Sequence, residues 1–334
     1  MRNKTLLISL SLMLVMGLLA AGFSSSVVGD EQENHFDTML KIVDDYLEYS
    51  YQGVITPEKV YESVVMFPDP DYYVVDLRDR EDFQENSIIG SVNIPFAEVT
   101  EEYQLDKLPK DKKIILVSYS GHTANRVATF WGLLGYQTIA LENGFGGWNQ
   151  VLPCNPADHQ LTTEPTEAEE TYQLPEFHYQ VETLEELVKI RAKKAFDPEE
   201  ELERGHDHDF GRGLVMARGR ESHVLVDLRD PEYYNKGHFG GSINIPFDSL
   251  TDRENLSLLP PDKEIMLLCS NGFASSQAAV MLRMLGYEAS VSRFGMSILT
   301  EDEELIGDRL VICKGDELYP TVETRIDVEE AGPG

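Results

Sequence analysis

Residues 72–136 are written a second time, 151 positions downstream, as residues 223–287. Val75-Asp76-Leu77-Arg78-Asp79 returns as Val226-Asp227-Leu228-Arg229-Asp230. Asn93-Ile94-Pro95-Phe96 returns as Asn244-Ile245-Pro246-Phe247, and Leu134-Gly135-Tyr136 as Leu285-Gly286-Tyr287. Aligned without a gap, the two stretches share 25 of 65 positions. Chance gives only a handful, so the chain is a duplication and must fold as two like domains. Its 334 residues suffice for two domains of ordinary size.

Each copy alternates strand and helix. Tyr72 to Leu77 and His223 to Leu228 end valine-rich apolar runs. Lys113 to Ser118 and Glu264 to Cys269 are continuous apolar runs, the signature of strands buried on both faces. A short Gly-containing loop follows each. Helices are then expected over Ala124 to Leu134 and Ala274 to Leu285, closed by Gly135 and Gly286. Thr138 to Leu141 and Ala289 to Phe294 read as further strands. This order predicts an α/β fold: two tandem domains, each a mostly parallel sheet with helices on both faces. Thr56-Pro57-Glu58 opens an earlier helix, and Thr183-Leu184-Glu185-Glu186 opens its counterpart as a capping box. That offset is 127, so the second copy carries 151 − 127 = 24 extra residues, between about Lys189 and Arg220.

The start of the chain reads as an address. Arg2 and Lys4 precede an apolar run from Leu6 to Phe23, followed by small residues, as in an export signal. An uncleaved anchor is the alternative, and it is the one route by which a membrane enters the reading. The expected layout is a signal over 1–29, a first domain over 30–156, an acidic linker over 157–179, a second domain over 180–325 and a tail over 326–334. The mature chain is expected outside the cytoplasm, periplasmic or secreted. With 28 basic and 59 acidic residues the net charge is −31. Such a chain lacks the basic surface that a nucleic acid needs, and an anionic small molecule approaches it against repulsion.

The Asp-x-Arg pairs Asp76/Arg78 and Asp227/Arg229, the Gly-Ser-x-Asn-Ile-Pro segments from Gly90 and Gly241, the strand–loop–helix before Leu-Gly-Tyr, and Gly144-Phe145-Gly146-Gly147-Trp148 together resemble the rhodanese (thiosulfate sulfurtransferase) family, in its tandem form. The resemblance covers nearly all of residues 50–325. It implies a sulfurtransferase that needs no cofactor, with a sulfane-sulfur donor and a thiol or cyanide acceptor as partners. It places the nucleophile at Cys269 and the substrate loop at Ser270, Asn271, Gly272, Phe273, Ala274 and Ser275. A thiolate must attack a sulfane sulfur and hold it as a persulfide. A cysteine at the carboxyl end of a parallel strand lies in the crevice where such sheets bind ligands. Loop amides and a helix N-terminus add partial positive charge there. Arg229 is read either as a substrate ligand or as the structural partner of a carboxylate.

The first copy has Ser118-Tyr119-Ser120-Gly121-His122 in the same place. A hydroxyl cannot carry a persulfide, so this copy is expected to be inactive. A serine nucleophile would need a base, and His122, the sole local candidate, has no evident acid to orient it. The second copy also departs from the family: its loop has no basic residue, which puts thiosulfate in doubt as the donor. Arg293 precedes Phe294-Gly295 and is a further cation within reach. The rival reading is a non-catalytic binding module for sulfur species or a protein partner. A phosphatase is disfavoured by the short loop without arginine.

No metal site is expected: His206-Asp207-His208-Asp209 reads as a solvated stretch of the insertion. The insertion also gathers eight basic residues, among them Lys189, Arg191 and Lys194, as a docking patch. Cys154 and Cys313 follow equivalent motifs and are candidates for a disulfide, with two free thiols as the alternative.

Overall fold

The structure is a computed structural model and describes residues 34–50, 53–149, 161–198, 221–300, 302–306 and 318–323. The export segment, Cys154, Cys313 and His206-Asp207-His208-Asp209 lie outside the described residues. Among the described residues no helix is long and apolar enough to cross a membrane.

The first copy holds five parallel strands: β1 (Val54–Ile55), β2 (Tyr72–Asp76), β3 (Val92–Asn93), β4 (Lys113–Val117) and β5 (Gln137–Leu141). Their order across the sheet is β1-β5-β4-β2-β3. After β6 (Leu161–Thr162) come β7 (His223–Asp227), β8 (His238–Phe239), β9 (Ser242–Asn244), β10 (Glu264–Leu268) and β11 (Glu288–Val291). The second sheet runs β11-β10-β7-β9, again parallel. The central strands β4 and β10 carry Ile114 to Val117 and Ile265, Leu267 and Leu268, all buried. Apolar side chains on both faces of a strand require cover on both faces, and the crossover helices supply it. The expected α/β fold with helix-flanked parallel sheets is therefore the observed one.

Both expected caps form. Thr56 Oγ1 accepts from Lys59 N, and Thr183 Oγ1 accepts from Glu186 N at 3.1 Å. Glu186 Oε2 returns a bond to the amide of Glu182, one residue earlier than a capping box requires. The helix that follows, Leu184–Ala195, contains four of the basic residues grouped above. Arg191 on it does dock within the chain. Its Nε and Nη2 donate to Met284 O and Arg283 O at 3.0 and 2.6 Å. Those carbonyls end the Phe273–Met284 helix, where a cation offsets the helix dipole.

Several element boundaries differ from expectation. The helices begin at His122 and Phe273, two and one residues early, because Gly121 and Gly272 both turn through φ +87° and start the helix directly. Strand β11 stops at Val291 and does not reach Phe294, which sits in the left-handed region at φ 61° and cannot belong to a strand.

The helices His122–Leu133 and Phe273–Met284 pack on each other and join both copies in one core that includes Val127, Trp131, Ala278, Ala279 and Leu282. Segments are also exchanged. The Phe36–Asp45 helix reaches the second copy through Asp44, which accepts from Thr251 Oγ1 at 2.8 Å. Residues 318–323 return to the first copy, where Tyr319 N donates to Trp148 O and Val322 pairs with Ser87. Residues 161–179 lie along the second copy, with β6 pairing antiparallel to β8 and Tyr172 N donating to Ser257 O.

Candidate active site

The candidate nucleophile stands where β10 ends. Cys269 follows Leu268 directly, and the loop Ser270–Gly272 turns the chain into the helix from Phe273. The thiol is 4% exposed. Its Sγ accepts from Gly272 N at 3.1 Å and Ser275 N at 3.4 Å, and Ser275 Oγ lies 3.5 Å away. Two amides at the start of a helix thus aim their partial positive charge at the sulfur. Asn271 Oδ1 accepts from Phe273 N at 3.2 Å, a local turn that leads the chain into the helix. Ser276 Oγ donates to Gly272 O at 2.7 Å and braces the turn. Ser270 and Ala274 are the half-buried members of the loop, while Asn271, Gly272, Phe273 and Ser275 are buried.

A second loop closes this cradle from below. Met296 N donates to Cys269 O at 2.8 Å, and Ser297 N to Ser270 O at 3.0 Å. The approach is so close that a Cβ at Gly295 would stand 2.0 Å from Cys269 O. Only glycine fits there.

The first copy repeats this geometry around a hydroxyl. Ser118 Oγ accepts from Gly121 N and Ala124 N, both at 3.1 Å. Gly144 closes it, with a Cβ position 2.1 Å from Ser118 O. What differs is the reacting atom and the rim. Tyr119 stands where the second copy has Ser270, and its hydroxyl bonds Asp82. Burial and that carboxylate push the phenol's pKa up.

Arg229 is committed elsewhere. Its Nε and Nη2 grip Asp227, with the shortest contact at 2.6 Å, and both side chains are essentially unexposed. Nη1 donates to Leu305 O and Nη2 to Gly237 O. All three nitrogens are engaged, so the guanidinium clamps the end of β7 to Gly237 and to the short helix Glu303–Ile306. Arg78 holds Asp76 and Asn86 O in the same way.

One residue at the site was not anticipated in this role. His122, from the first copy, enters the second copy's loop. Its Nε2 lies 2.9 Å from Asn271 O, and its ring packs between Phe273 and Phe294 at 5.0 and 4.6 Å. Its Nδ1 lies 3.0 Å from Ser120 Oγ, which in turn accepts from Arg293 Nη2 at 2.8 Å. The ring is 2% exposed. Burial, then the positive charge of Arg293, holds its pKa well below the ordinary histidine value, so it is neutral. Sequence pairs His122 with Phe273 by offset, but nothing local tells that the two loops face each other.

Comparison with known proteins finds one family along both copies. The family model described as a rhodanese-like domain matches residues 59–151 and again 214–297. The chain is 39% identical over 80 residues to the uncharacterized protein YqhL of Bacillus subtilis, covering 24% of this chain and 57% of that protein. It is 28% identical over 88 residues to the putative sulfurtransferase YtwF of the same organism, covering 26% and 84%. It is 36% identical over 64 residues to the thiosulfate sulfurtransferase PspE of Escherichia coli, covering 19% and 60%.

Proposed function

This chain belongs to the rhodanese-like family, with two such domains in tandem, and from that premise we propose that it moves a sulfane sulfur through a persulfide on Cys269. The observation that carries the proposal is the pair of amides, from Gly272 and Ser275, aimed at Sγ. The thiolate attacks the donor's outer sulfur. A new S–S bond forms at Sγ as the donor's own S–S bond breaks, and the electron pair leaves with the departing group, which is sulfite when the donor is thiosulfate. The acceptor then attacks the outer sulfur of the persulfide. The bond to Sγ breaks, its electron pair returns to Sγ, and cyanide leaves as thiocyanate or a thiolate as a persulfide. The two amides and the helix N-terminus stabilise the negative charge that rests on Sγ before attack and returns to it afterwards. The first copy binds and supports, since Ser118 offers a hydroxyl in the same cradle.

Thiocyanate formation from cyanide tests this, with thiosulfate and with a neutral organic polysulfide as donors. Both donors should yield product. The net charge of −31 repels the dianion at low salt. Thiosulfate turnover should therefore rise as the Debye length falls from about 30 Å at 0.01 M to about 3 Å at 1 M, while the neutral donor changes little. Failure of both donors on folded protein favours the binding-module reading. Thiosulfate turnover that falls with salt overturns the electrostatic part alone.

The proposal includes export, on the strength of Arg2, Lys4 and the apolar run that follows. Fractionation of the native host should find the mature chain outside the cytoplasm. Recovery of soluble, full-length chain from the cytosol would contradict it.

A further inference from the structure

Resting on the reading of Cys269 as the sulfur carrier, we propose that His122, supplied by the copy that lacks a cysteine, is a positioning residue that aims the Gly272 amide at Sγ. Asn271 O and Gly272 N belong to the same planar amide, and in a trans peptide the carbonyl and the N–H point in opposite directions. The N–H side lies 3.1 Å from Cys269 Sγ. The carbonyl side lies 2.9 Å from His122 Nε2. Whatever holds the oxygen therefore holds the direction of the amide that faces the sulfur.

The neighbours decide the tautomer. Nε2 has two backbone neighbours, Asn271 O at 2.9 Å and the N–H of Phe294 at 3.3 Å. The nearer one is a carbonyl oxygen, which only accepts, so in this proposal Nε2 carries the hydrogen and donates it to Asn271 O. Nδ1 must then accept, and Ser120 Oγ is placed to donate to it. Ser120 Oγ accepts from Arg293 Nη2 and still has its own hydrogen to give to Nδ1. The resulting relay runs Arg293, Ser120, His122, Asn271 and crosses between the copies twice. It requires a neutral ring, and the burial of His122 beside the positive charges of Arg293 and Arg126 keeps it neutral. Hydrogen bonding at both nitrogens and the flanking rings of Phe273 and Phe294 leave the imidazole one orientation.

The relay works in one direction only. By the offset of 151, the residue that corresponds to His122 is Phe273, which has no donor to return. The copy with the hydroxyl supplies the donor, and the copy with the thiol receives it. The first loop, which holds Ser118 where the second copy has Cys269, thus takes a positioning role. A Cβ at Gly272 would stand 2.7 Å from His122 Nε2, so the ring also packs directly against the turn it orients.

Two variants of the full chain test this. His122→Phe installs the residue found at the corresponding position of the other copy, fills the ring's space and removes the donor. His122→Gln keeps an N–H at about the reach of Nε2. The readouts are the rate of persulfide formation on Cys269 with a neutral organic polysulfide, and hydrogen exchange at the Gly272 amide. We expect loading about tenfold slower in His122→Phe, since a donor aimed at the reacting charge is no longer held. Exchange at Gly272 should be faster. His122→Gln should restore loading to within about threefold of wild type. Equal loading and exchange in wild type and His122→Phe would overturn the positioning role. So would slow loading in both variants with unaltered Gly272 exchange, which marks a packing effect. Absence of any adduct on wild-type Cys269 would instead overturn the reading on which the proposal rests.

Discussion

Cys269→Ser is expected to abolish sulfur transfer outright, while Ser118→Ala retains at least about half the wild-type rate. The two residues occupy the same place in the two copies and receive the same pair of amide hydrogen bonds. The cradle is therefore common to both, and the difference lies in the atom it holds. Sulfur can bond a second sulfur as a persulfide and release it again, whereas a hydroxyl oxygen offers no such carrier. Serine at position 269 recreates the first copy's arrangement, so the fold should survive and the chemistry should not. Transfer to cyanide by folded Cys269→Ser would contradict this.

Asp227→Asn is expected to cost about 3–5 kcal/mol of stability, because it leaves the Arg229 charge buried without its counter-charge. The pair is bidentate and lies almost wholly out of solvent. The remaining partners of the guanidinium are the carbonyls of Leu305 and Gly237, which accept hydrogen bonds but carry no net charge. Urea unfolding of the variant measures the loss. A change under about 1 kcal/mol, the size expected of an exposed pair, would show that Arg229 is not the clamp described. Asp76→Asn should behave alike, since Arg78 makes the equivalent grip.

Much of this was legible in the residues. The constant offset of 151 implied two like domains, and the apolar runs at Ile114 to Val117 and Ile265 to Leu268 implied strands covered on both faces. The position of Cys269 after such a run put it at a strand's carboxyl end, where the structure has it. Local patterns carry such information because strands and helices repeat at short periods. The left-handed Phe294 was not legible: a bulky residue at φ 61° goes against the usual preference, and the tight approach of Gly295 to Cys269 O, which depends on tertiary contact, accompanies it. Nor was the contact between His122 and Asn271, which are 149 residues apart. The exchange of Thr251 with Asp44 and of Tyr319 with Trp148 is hidden for the same reason. Each depends on how two copies of one fold dock, and no periodicity within either copy records it.

Cys269 is expected to carry a single sulfur atom. Mass spectrometry tests it most directly: wild type and Cys269→Ser are incubated with thiosulfate or an organic polysulfide, freed of excess donor, weighed intact and then mapped by peptide without reductant. Wild type should gain the mass of a single sulfur atom, located on the peptide that contains Cys269, and lose it on addition of cyanide. The variant should gain nothing. A folded wild type that takes up no sulfur from either donor, or a labile sulfur located on Cys154 or Cys313 and unchanged in Cys269→Ser, would contradict the account.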